Sequence, residues 1–152
     1  MATLEGIAYR HKPKAMMLES RGLEVSPERG IAGDCRGRPG KRQVTVLSLE
    51  SWQKACAEVD TDLHWTTRRA NLLVRGLAFG PESVGKVIRI GDVRLEITRE
   101  TDPCRRMDQA HPGLKRALSP RWRGGVCCRV IKGGWLAIGD QVQMGDEQMC
   151  DE

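Results

Sequence analysis

This chain has few aromatic residues: of its 152 residues one is Tyr, one Phe and four Trp, 4% in all. Proteins that hold single-stranded nucleic acid stack the bases on exposed aromatic rings. The scarcity of rings therefore turns any basic surface toward a small anion and argues against a nucleic-acid partner. Long apolar runs are missing too. No stretch approaches the roughly 18 residues of a membrane helix, which argues against a membrane partner. Met1-Ala2-Thr3-Leu4-Glu5 lacks the basic-then-apolar opening of a secretory signal, so a cytoplasmic protein is expected. No Cys-x-x-Cys occurs among the six cysteines, which excludes zinc knuckles built from paired cysteines. Their irregular spacing in a chain without a secretory signal reads as reduced thiols. There is no serine nucleophile motif, phosphate loop or glycine-rich dinucleotide fingerprint.

What is present is ordinary for a soluble globular protein: 39% hydrophobic and 30% charged residues. The length suits one domain over 1–152, with a core at about 4–143 and an acidic tail at 145–152 that is expected to fray. The formal charge is +5. Basic residues gather at Arg10–Lys14, Arg36–Arg42 and Arg121–Arg123. Three readings are open: a solvated surface, a nucleic-acid patch, or a pocket for an anionic small molecule.

Short β-branched runs separated by Gly-rich turns predict a mainly β barrel or sandwich. Residues 4–10 read as a strand. Residues 11–43 lack clean periodicity, and so long a structureless stretch is unusual in a compact domain; it is either a functional loop or holds short elements, one of them near Val25. Val44–Leu49 reads as a buried strand, followed by a helix with Trp52, Ala55, Cys56 and Val59 on one face and Ser48 as its cap. Leu72-Leu73-Val74 is a short apolar run. Val87–Ile90 and Val93–Ile97 flank Gly91-Asp92 as a hairpin, with Val93, Leu95 and Ile97 facing one side. Leu114–Leu118 suits one or two helical turns. Strands follow at Val126–Ile131 and Trp135–Ile138, and then around Val142 and Met144.

One stretch concentrates the chemistry. In Thr101-Asp102-Pro103-Cys104-Arg105-Arg106-Met107 a proline stiffens the bend before a single cysteine. Nearby guanidinium groups favour thiolate, the form that attacks, carries sulfur or ligates a soft metal. Glu100 and Asp102 oppose them. Cys104 is thus the candidate reactive residue. Cys56 reads as a packed thiol on its helix face. Cys127 and Cys128, adjacent on a strand, point to opposite faces, so one is expected in the core and one outward. Cys35 lies in the basic loop and could be reactive; Cys150 reads as incidental. Gly33-Asp34 and Gly37, among Arg36, Arg38, Lys41 and Arg42, form a loop able to hold a phosphate or simply solvated. Arg68 and Asn71, just before an apolar strand, either line a pocket or close a turn. His64 and His111 have no ligand-like spacing and read as surface residues.

Taken in order, several fragments resemble the MOSC family, named for the C-terminal domain of molybdenum cofactor sulfurase. They are Gly30-Ile31-Ala32-Gly33-Asp34, Lys41-Arg42-Gln43-Val44, Arg68-Arg69-Ala70-Asn71-Leu72 and Gly91-Asp92-Val93-Arg94-Leu95-Glu96-Ile97. Pro103-Cys104, His111-Pro112-Gly113-Leu114, Arg123-Gly124-Gly125-Val126 and the stretch from Gly133-Gly134 to Gly139-Asp140 follow. Order and spacing carry the resemblance over roughly residues 4–143. It implies a strongly bent β-barrel with a few short peripheral helices. It also implies a link to the molybdenum cofactor (molybdopterin). The family's functional cysteine falls on Cys104, as a molybdenum ligand in some members and as a persulfide carrier in others. Asp34 falls in the first matching fragment, and Arg36, Arg42, Arg68 and Asn71 would suit the pterin phosphate. The implied function is a redox domain that reduces a small-molecule substrate, such as an N-hydroxylated compound, with a partner reductase. The alternatives are a sulfur carrier served by a separate cysteine desulfurase, and a non-catalytic basic module. Where many stand-alone members place another Arg or Cys before Pro-Cys, this chain has Arg99, Glu100 and Asp102.

Overall fold

Residues 1–146 are described by a computed structural model, and in it the β-branched runs pair into eleven strands. They are β1 (Ala2–Tyr9), β2 (Leu18–Glu19), β3 (Gly22–Ser26), β4 (Gly30–Ile31), β5 (Val44–Ser48), β6 (Leu72–Arg75), β7 (Val87–Ile90), β8 (Val93–Glu100), β9 (Val126–Lys132), β10 (Gly134–Ala137) and β11 (Gln141–Gly145). The helices are α1 (Leu49–Glu58), α2 (Arg105–Ala110) and α3 (Leu114–Leu118), with a 3₁₀ turn at Trp65–Arg68.

Seven strands close into a barrel in the order β1, β11, β7, β8, β9, β5, β6 and back to β1. All neighbours are antiparallel except β5 and β6. A parallel pair needs a long crossover, and here α1 and the 3₁₀ turn supply it. The barrel bends at register shifts in β1 between Leu4 and Gly6, and in β8 at Arg94/Leu95 and Ile97/Arg99; bulges of this kind curve a strand and sharpen its twist. A three-stranded sheet of β10, β3 and β4 lies beside it. Residues 11–43 thus hold three short strands rather than one structureless loop.

Two cores explain the apolar runs. Leu4, Ile7, Val46, Leu72, Ile88, Leu95, Ile97 and Cys128 belong to one. Leu47, Trp52, Cys56, Trp65, Leu73, Met107, Leu114 and Leu118 belong to the other. Alternation along β5 and β6 sends Val46 and Leu72 to the first core and Leu47 and Leu73 to the second, so both strand faces are buried and their sequences read as continuous apolar runs. The expectation for Cys127 and Cys128 is corrected on the same ground. They do face opposite ways, but both are fully buried, because residues beyond β8 cover the second face: Cys127 Sγ lies 3.3 Å from Thr101 Oγ1. The expected fraying tail is corrected at its start, since Gly145 pairs with Val87 in the barrel; residues 147–152, with Cys150, lie outside the described residues. Among the described residues no helix is long and apolar enough to cross a membrane.

Candidate functional site

Cys104 stands at a change of direction. β8 ends at Glu100, and Thr101 N–H donates to Gly125 O at 2.9 Å, which pins the chain across the start of β9. Pro103 then turns it into α2, whose first carbonyl, that of Cys104, accepts from Met107 N–H at 2.9 Å. Cys104 is extended (φ −120°, ψ 176°) and its side chain makes no capping bond. The thiol is exposed. α2 itself is anchored by Met107, buried in the second core. An exposed thiol is thereby mounted on a fixed element, an arrangement that holds a reactive group more accurately than a free loop would.

Arg68 secures that loop from beneath. Buried at the end of the 3₁₀ turn, it donates Nε–H to Gly124 O at 3.0 Å and Nη2–H to Thr101 O at 2.8 Å. Burial lowers its pKa, and the charges of Cys104, Cys127, Asp102 and Glu100 pull the other way. Asn71 is a strand bridge: Oδ1 accepts from Thr45 N–H at 3.0 Å and Nδ2 donates to Ala8 O at 3.1 Å, tying β1, β5 and the approach to β6. His64 and His111 also serve structure, His64 Nδ1 by capping the 3₁₀ turn and His111 Nε2 by bonding Val59 O at 2.7 Å.

Asp34 folds the basic loop. Its Oδ1 accepts from Arg10 N–H at 3.1 Å and its Oδ2 from Arg36 N–H at 3.2 Å. Cys35 N–H donates to Arg10 O at 2.8 Å, so the loop is laced to the end of β1. Beside it Arg69, with φ at 66°, reaches Pro13 O and Ala15 O with Nη2 at 3.2 and 2.5 Å.

These segments enclose a cleft of about 340 Å³, within the size range of small-molecule sites. Cys104, Asp34, Arg36, Arg42, Arg68 and Asn71 all line it. So do Arg10, Arg69 and Arg106, which makes six arginines against Asp34 and Asp102. Two buried N–H atoms with no hydrogen-bond partner belong to this wall, Arg10 Nη1 and Arg69 Nε. The acidic neighbours of Cys104 are partly neutralised by the protein itself: Asp102 pairs with Arg99 at 2.9 Å. Burial first, and then Asp102, hold the Glu100 carboxyl above the usual carboxylate range.

A family model described as MOSC domain matches residues 27–143. The chain belongs to the MOSC domain family. Solved structures agree on the fold. The YUAD protein from Bacillus subtilis is similar at a TM-score of 0.76 and 18% identity, covering 95% of this chain and 96% of that one. YiiM from Geobacillus stearothermophilus is similar at 0.73 and 14%, covering 96% and 76%. YiiM from Escherichia coli is similar at 0.71 and 15%, covering 95% and 70%. No protein of curated function matches the sequence.

Within this MOSC domain the residues singled out from sequence meet at one cleft, but they hold unlike positions in it. Cys104 presents a free thiol, and Arg36 and Arg42 are exposed. The donors of Arg68 and the amide of Asn71 are engaged by the protein's own backbone. Sequence alone places Arg10 only in the Arg10–Lys14 basic cluster and Arg69 only in a family fragment, without assigning either a contact in the cleft. The signal in the sequence is faint: Arg10 directly follows β1, and Arg69 adjoins Arg68 in a family fragment. Cys35 is half-buried beside this wall and is not among the lining residues.

Proposed function

We propose that this MOSC domain is a redox domain that binds the molybdenum cofactor, with Cys104 as its thiolate ligand to the metal. The observation that carries this reading is an exposed thiol on the wall of a concave, arginine-rich cleft. The donor set suits such a group. A soft thiolate is the ligand type for a thiophilic metal, while unpartnered guanidinium N–H groups call for the oxyanion at the far end of a phosphorylated pterin. When bound, the cofactor supplies two-electron redox chemistry. The chain's own part is to fix the thiol at the start of α2, hold that loop through Arg68, and receive negative charge with Arg10, Arg36, Arg42 and Arg69. The substrate would be a small molecule, such as an N-hydroxylated compound, and a separate reductase would deliver the electrons. Arginines converging on a concavity favour a small anion over a nucleic acid. Protein expressed with excess molybdate should hold molybdenum and pterin, and Cys104→Ser should lose the metal. Protein with neither metal nor pterin would remove this reading.

A second reading rests on the absence of a capping bond at the Cys104 side chain. A sulfur carrier needs such a free, accessible thiol. Incubation with a cysteine desulfurase should then add one sulfur to the chain by mass spectrometry, and Cys104→Ser should abolish the gain. Addition at Cys35 instead would discard Cys104 as the carrier.

A further inference from the structure

A second cleft, of about 360 Å³, shares a strip of backbone with the first. Gly124 lines the Cys104 cleft, and Arg123, the residue before it, lines this one. The size falls in the range of small-molecule sites. Part of the wall is apolar, formed by Ala78, Phe79 and Pro81. The charged side chains around it are unequally occupied. Glu50 spends both carboxylate oxygens on Gly76 N–H, at 3.0 and 3.1 Å. Glu82 folds back over Gly80, where a Cβ would stand 2.7 Å from either oxygen. The cations are freer. Lys54 and Arg121 are exposed, and neither side chain makes a hydrogen bond or ion pair among the described residues. Arg123 is only 9% exposed and engages Nη1 alone, on Glu58 Oε1 at 2.9 Å and Ala117 O at 3.0 Å.

The backbone holds Arg121 in an uncommon conformation. Arg121 (φ 50°, ψ 35°) and Trp122 (φ 53°) are consecutive left-handed residues, and neither is glycine. L-residues with bulky side chains avoid that region. Trp122 packs against the barrel core, while Arg121 stays exposed at the cleft. Stability alone would favour glycine at position 121, and strain of this kind clusters where a ligand is held.

We propose that this cleft is a second binding site, for a small carboxylic acid with an apolar body, whose carboxylate is held by Arg121 and Lys54. Charge complementarity and the apolar wall select that occupant. A guanidinium fork matches a carboxylate, and an apolar body gains by leaving water for Phe79 and Pro81. Cys104 takes no part in the site, and the inference does not depend on the proposed function.

The test is thermal unfolding of the full chain in benzoate, acetate and chloride at matched ionic strength. For the wild type, benzoate should raise the midpoint, with a further rise for each tenfold increase in concentration above its Kd. Acetate, which lacks the apolar body, should raise it less, and chloride sets the baseline. Arg121→Gly should respond to benzoate no more than to chloride. It should also melt no earlier than wild type in chloride, because glycine relieves the left-handed backbone; an arginine kept for structure would melt earlier. Arg42→Gln, a change in the Cys104 cleft, should keep the benzoate response. Should Arg121→Gly not fold, Lys54→Gln, an exposed change on α1, decides in the same way by losing or keeping the response. Equal responses of the wild type to benzoate and chloride would overturn the proposal, as would equal responses to benzoate and acetate. A benzoate response retained by Arg121→Gly would overturn it too, and its loss in Arg42→Gln would then place the acid in the Cys104 cleft.

Discussion

Arg68 shows how much of this site one buried side chain can organise. Two carbonyls, those of Thr101 and Gly124, accept from one guanidinium. Gly124 is required for the approach, since a Cβ there would stand 2.8 Å from Thr101 O and 3.1 Å from Arg68 Nη2. Removing the guanidinium leaves two acceptors without donors. With charged hydrogen bonds worth about 1.5–3 kcal/mol each, Arg68→Ala should cost on the order of 3–5 kcal/mol by urea unfolding and should expose Cys127 to alkylation; Arg68→Lys should recover only part. A loss below about 1 kcal/mol would show that the loop holds without the clamp. Glu100 gives a pH prediction at the same scale. Its folded pKa is raised by burial and by Asp102. The neutral carboxyl is therefore favoured in the fold: this contribution to stability is complete below the ordinary carboxylate pKa and is lost as pH rises through the raised value. Glu100→Gln is neutral throughout, so its stability should fall less over that window and should equal or exceed wild type at neutral pH. A steeper fall in the variant would reverse the sign assigned here.

The element that delivers Arg68 is the 3₁₀ turn, and its seat is Trp65 against the bulged part of β1. A Cβ at Gly6 would lie 2.6 Å from the Trp65 ring, so Gly6→Ala must displace either the indole or the strand. Overpacking of this kind costs about 1–3 kcal/mol, and the displaced turn should also weaken the Arg68 clamp; a combined Gly6→Ala, Arg68→Ala chain should then lose less than the sum of the two single losses. Strict additivity would mean that Trp65 and Arg68 act separately. Elements differ in how far they can be read from sequence, and this pair shows why. The β7–β8 hairpin was legible because Val93, Leu95 and Ile97 alternate and Gly91-Asp92 turns, and α1 because Ser48 caps an apolar face. β2, β3 and β4 are two to five residues long, too few positions to establish a period. α2 escaped notice because Met107 is its single buried residue among charged neighbours. The hairpin obeys a local pattern; the seat of Trp65 depends on a strand nearly sixty residues away in the chain.

At the scale of the whole molecule, barrel closure makes the cleft. Its arginines come from the end of β1, the loop before β5, the approach to β6 and the start of α2. Sequence marks them as separate basic clusters, and only a closed sheet makes them neighbours, which is why Cys104 could be singled out early while the Arg10–Arg69 wall could not. Closure depends on β11, the last strand, reaching back to the first. Ala2 pairs with Val142 and Thr3 with Gln141, Leu4 N–H donates to Asp140 O at 2.8 Å, and Gly139 N–H returns to Leu4 O at 2.8 Å. On its other side β11 covers β7 from Val87 to Ile90. A chain ended after Asp140 would open β1 and β7 as unpaired edges, a template for aggregation, and would lose the buried Val142. We expect it to show no cooperative urea transition, whereas the full chain should unfold in one transition. Because the closing contact joins opposite ends of the sequence, refolding of the full chain should fall in the millisecond-to-second range of non-local β topologies rather than that of helical bundles. A truncated chain with a sharp transition would place the stability of the cleft in the remaining strands and not in closure.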